Sequence, residues 1–114
     1  MTTQQVTLMG QAASAILWPA HMKIFRIDGD AMAPLLKEGD YVAVDTTKHS
    51  IREGIYAVQL GGGVAIRRLQ PLPAGSVLLK CDHPLYSAEE VDASLLAKEG
   101  AIVGRVVFAE KRID

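Results

Sequence analysis

The sequence predicts an all-β domain. Its apolar residues fall in short β-branched runs, glycine, aspartate and proline punctuate those runs, and little of the chain carries a helical pattern. The 114 residues make one domain, and with 49% apolar residues it is able to bury a single core.

The elements follow in order. Residues 1–20 read as an arm: Gln4-Gln5 and the small residues from Gln11 to Ala15 lead into Ile16-Leu17-Trp18-Pro19. There Trp18 is either an anchor for the arm or a plain core contact. The domain proper is residues 21–114. Met22 to Ile27 is β-like, Met32 to Leu36 suits one helical turn, and Tyr41 to Asp45 is a strand by its β-branched and aromatic content. Ile55 to Leu60, Gly61-Gly62-Gly63 and Val64 to Leu69 read as a hairpin whose glycines permit a tight or bulged turn. Pro71, Pro73 and Gly75 break the chain before a strand over Ser76 to Cys81. Ser87 to Gly100 is acidic and reads as a loop with a possible helical turn, and Ala101 to Phe108 closes the domain as a β-branched run.

Charge and composition exclude several classes. The formal net charge is −1, and Arg67-Arg68 and Lys111-Arg112 are too scattered for a free-standing DNA-binding face. Any contact with DNA is expected from another segment. The one cysteine, Cys81, cannot form an internal disulfide; it reads as a small core residue and fits a reducing cytoplasm. No apolar stretch approaches the ~20 residues of a membrane span, and no signal peptide is evident. His21, His49 and His83 lack the paired spacing of a metal site, so neither metal nor cofactor is expected. Asp28, Asp30 and Asp40 lie beside Gly29 and Gly39 and read as turn formers rather than cation ligands.

Four ordered landmarks carry more information: Gly29-Asp30-Ala31-Met32 ahead of Gly39-Asp40 and a strand; Ile66-Arg67-Arg68-Leu69; Asp82-His83-Pro84-Leu85-Tyr86; and Gly104-Arg105-Val106-Val107. Together, from about Ile24 to Phe108, they resemble the LexA-like self-cleaving family, which includes LexA, the phage CI-type repressors and UmuD. The resemblance implies a LexA/signal-peptidase-like fold of short twisted antiparallel sheets, with Asp28, Gly29, Asp30 and Met32 lining the cleft. It also implies a Ser–Lys dyad at Ala31 and Arg67. Alanine has no oxygen with which to attack a peptide bond. Arginine keeps its proton, with a pKa above about 12, so it cannot serve as general base.

A third departure falls in the arm. Val6 to Ala15 resembles the family's cleavable segment, with the scissile bond near Ser14-Ala15 and Ala15 standing where glycine is expected. Loss of the serine alone would suit an engineered block; loss of all three features suits a naturally inactive homologue. Arg67 would then lie at the floor of the former active site, with Asp28 or Asp30 as its expected salt-bridge partner.

The resemblance implies what such a domain does without cleavage: it dimerises, binds its own arm, and docks on partners such as a RecA filament. The leading expectation is the dimerisation and regulatory domain of a phage- or prophage-type repressor, with a helix-turn-helix domain for DNA and an antirepressor as a possible off-switch. The alternatives are a stand-alone UmuD-like subunit of a DNA polymerase in the SOS response, which would resemble a short-armed chain beginning at Met1, and a knocked-out Ser–Lys peptidase.

Overall fold

The computed structural model describes residues 19–113. The β-branched runs pair as seven strands of one antiparallel sheet: β1 (Met22–Arg26), β2 (Tyr41–Asp45), β3 (Gly54–Leu60), β4 (Gly63–Pro71), β5 (Ser76–Lys80), β6 (Glu89–Asp92) and β7 (Ile102–Glu110). Their spatial order is β1-β2-β7-β3-β4-β5-β6, so the last strand inserts at the centre between β2 and β3. The all-β expectation is borne out, and the short strands join into a continuous sheet.

The predicted hairpin is present. β3 and β4 pair from Gly54↔Leu69 to Leu60↔Gly63, leaving Gly61-Gly62 as the connection, with Gly61 at φ 55°. The acidic stretch differs from the loop expected there. Val91 pairs with Val77, so residues 89–92 become edge strand β6, and helix α1 (Ala93–Leu96) follows. Asp92 caps α1 by accepting from the Ser94 N–H, and Leu96 is buried. The exposed glutamates hid the strand: an edge strand can carry charge on its open side.

The sheet buries apolar residues on both faces. In β3, Tyr56 and Val58 enter one core with Leu69, Val77, Leu79 and Leu96, while Ala57 between them enters a second core with Val42, Val44, Ile27, Met32 and Leu36. Two bulges interrupt β7. Its register against β3 skips Val103 and its register against β2 skips Val107. Ile102 and Val106, four residues apart, therefore serve opposite cores. β2 and β7 also approach closely at Gly104, where a Cβ would lie 2.4 Å from the Asp45 carbonyl oxygen.

Asp40, expected as a turn former, closes the turn with its N–H on the Lys37 carbonyl at 2.9 Å, and it is also fully buried. Its Oδ2 accepts from the Lys37 N–H at 2.9 Å and its Oδ1 from the Arg112 N–H at 2.6 Å, while the Lys111 ammonium lies 2.9 Å from Oδ2. Burial raises the carboxyl's pKa, but the two backbone donors and Lys111 outweigh it, and the net shift is downward.

Two outcomes follow from this packing. Asp40→Ala leaves two N–H donors without their acceptor and is expected to cost about 2–4 kcal/mol in urea unfolding. Because the Asp40 pKa is lowered on folding, its contribution is complete above the unfolded pKa. It is lost as pH falls through the folded value, so the wild-type advantage should shrink below about pH 4. Gly104→Ala presses a methyl group against backbone and is expected to cost about 1–3 kcal/mol, read as a lower melting temperature.

Candidate functional site

The loop between β1 and β2 is folded on itself by its own backbone. The Ile27 N–H donates to the Asp40 carbonyl at 2.8 Å and the Gly39 N–H to the Ile27 carbonyl at 2.9 Å, closing the base. Within it, the Leu36 N–H bonds the Met32 carbonyl at 2.9 Å, giving the single helical turn expected there. Met32 and Leu36 are buried beneath the loop, which fixes its tip over β4.

Between the loop tip and β4 lies a cleft of about 370 Å³. All six residues assigned to the site that fall in the described part of the chain line it: Asp28, Gly29, Asp30, Ala31, Met32 and Arg67. Ser14 and Ala15 lie outside the described residues. The cleft thus brings together Ala31 and Arg67, which come from separate elements and are 36 positions apart in sequence.

The proposed salt bridge between Arg67 and Asp28 or Asp30 is not formed. Both carboxylates are held by other groups. Arg26, at the end of the adjoining strand, pairs with Asp28. Asp30 accepts from the Tyr86 hydroxyl at 2.6 Å and faces His83 Nε2 at 3.7 Å. Arg67 donates from Nη1 to the carbonyl of its neighbour Ile66 at 2.8 Å. The ion pair in this region belongs to the next residue: Arg68 Nε and Nη2 each lie 2.9 Å from an oxygen of Asp82. That fork raises the Arg68 pKa and lowers that of Asp82.

The segment after β5 supplies a second wall that the sequence did not assign to the site. The His83 N–H donates to the Ala31 carbonyl at 3.0 Å, and the His83 and Tyr86 rings meet edge to face, 5.3 Å apart. Tyr86 therefore clasps the loop tip through Asp30, and that bond holds its hydroxyl proton and raises its pKa. Cys81, expected in the core, is half-buried and lines the cleft. Alternation alone would put Cys81 on the core face with Val77 and Leu79, but the strand ends at Lys80 and the chain leaves the sheet there. The Asp82–Tyr86 motif was the available signal, but its link to Asp30 spans 56 positions.

Chemically, the cleft offers carboxylates, guanidinium groups, a phenol held by a carboxylate, and a thiol. Neither Ala31 nor Arg67 can act as a nucleophile or base there. Among the described residues, no three His, Cys, Asp or Glu side chains converge to hold a metal ion. Since Arg67 has no carboxylate partner among the described residues, Arg67→Met is expected to shift the melting temperature by no more than about 2 °C. Asp82→Ala, which strands the half-buried Arg68 fork, should cost about 1–3 kcal/mol in the same assay.

The chain is 35% identical over 69 residues to the Repressor protein CI of Enterobacteria phage phi80, a match that covers 60% of this chain and 29% of that repressor. The chain therefore matches less than a third of that relative's length. The model of the family described as Peptidase S24-like matches residues 4–107, which takes in every strand but the end of β7 and the whole cleft. On that match, the chain belongs to the Peptidase S24-like family.

Proposed function

We propose that this chain is a non-cleaving member of its family and serves as the dimerisation and regulatory domain of a phage-type transcriptional repressor. The observation that carries the reading is the pairing of Ala31 with Arg67 in one cleft. At the positions where the resemblance places a serine and a lysine, the cleft has a methyl group and a permanently charged guanidinium. The cleft is otherwise kept in shape by the Asp30–Tyr86 and Arg68–Asp82 bonds, which suits binding rather than chemistry.

Similarity to a phage CI repressor favours the repressor role over a polymerase accessory subunit. Half-exposed Val107 and Phe108 on β7 supply apolar surface of the kind a two-fold partner would cover. A dimerising domain would raise the affinity of attached DNA-binding domains for a two-fold operator by effective concentration. With cleavage gone, release would fall to a partner occupying the cleft, and an extended peptide is the natural ligand for such a site.

Purified chain is expected to remain intact during prolonged incubation at alkaline pH, followed by mass spectrometry. A specific cut near Ser14-Ala15 would contradict the reading. Sedimentation at micromolar concentration should show dimers, and monomers alone would remove the dimerisation role.

A further inference from the structure

The loop between β2 and β3 forms a second polar cavity, separate from the cleft. It encloses about 170 Å³ and is lined by Thr47, Lys48, His49, Arg52, Tyr56 and Arg105, together with Ser50. No carboxylate belongs to that lining, although the chain as a whole is slightly acidic. We propose that this cavity is a binding site for a phosphate group.

The floor of the site is prebuilt. Tyr56 and Arg105 are register partners on β3 and β7. The buried Tyr56 hydroxyl accepts from Arg105 Nη1 at 3.0 Å and from the Arg52 N–H at 3.0 Å, and donates to the Ser50 carbonyl at 2.9 Å. One phenol thereby pins both the loop and the guanidinium. Arg105 Nη2 adds a bond to the Glu53 carbonyl at 3.1 Å. Two of the five guanidinium N–H donors are used in these bonds, and the others are left for a ligand.

The walls add charge that the fold does not consume. Arg52 and Lys48 are exposed, and neither forms an ion pair with a described residue. The two carboxylates nearest in sequence, Asp45 and Glu53, do not line the cavity. Asp45 Oδ1 accepts from the Thr47 N–H at 2.9 Å and the Thr47 hydroxyl at 2.6 Å, so Lys48 acts on it only through space. Two guanidinium groups, an ammonium and an imidazole thus line a space of about 170 Å³, room enough for a compact tetrahedral anion.

Phosphate chemistry could reach this site as a free anion or as the backbone of a nucleic acid, and one experiment separates the two. The full chain, labelled with nitrogen-15, is titrated with sodium phosphate, with sodium chloride at matched ionic strength, and with a short DNA duplex. Phosphate is expected to shift the amides of residues 47–52 and Arg105 in a saturable manner that chloride does not reproduce. The double variant Lys48→Ala/Arg52→Ala removes only exposed side chains and should keep the remaining spectrum while weakening phosphate binding about tenfold or more. Saturation of the same amides by the duplex, with steep loss on added salt, would identify a phosphodiester backbone as the source. A response to phosphate but not to duplex would identify a free anion. Chloride-like shifts, or unchanged binding by the double variant, would overturn the proposal.

Discussion

The structure hinges on a carboxylate removed from water. Asp40 sits just before β2, where the cleft loop meets the residues just beyond β7, and its carboxylate bonds to both of those segments. A buried carboxylate is tolerated only where donors replace its hydration, and two backbone N–H groups and an ammonium do so here. The same contacts set the loop's exit and bring the terminal segment alongside it. That anchor fixes the base of the loop, while Met32 and Leu36 beneath it add non-directional apolar contacts.

From this anchor the cleft is assembled by bonds among residues far apart in the chain. Asp30 and Ala31 are held from across the cleft by Tyr86 and His83, and the segment carrying those residues is tied to β4 by the Arg68–Asp82 fork. None of these bonds uses Ala31's side chain or Arg67's guanidinium. The cleft's shape therefore needs neither of those two side chains. This independence is what makes a binding role physically reasonable for a member of a peptidase family.

Much of this was readable from short-range pattern. The strands, the Gly61-Gly62 hairpin, the Met32–Leu36 turn and the cleft residues from Asp28 to Met32 follow from local propensity and from motifs a few residues long. Three expectations failed for one shared reason. The partner of Arg67, the place of Cys81 and the strand over 89–92 all depend on what lies across the fold. Asp28 and Asp30 were equally near candidates for Arg67 in sequence terms, yet Arg26 and Tyr86 hold them. Asp40 next to Gly39 has the composition of a surface turn, and only the return of β7 buries it.

The sequence by itself determined the all-β class, the family motifs and the chemical fact that Ala31 and Arg67 cannot form a nucleophile–base pair. These are properties of residue type and local spacing, which do not change with the surroundings. Tertiary structure alone decided the insertion of β7 between β2 and β3, its two bulges, and the pairing of each charged side chain. Those choices depend on distances between residues remote in the chain, and an ion pair or hydrogen bond falls off too steeply with distance for composition to foretell its partner.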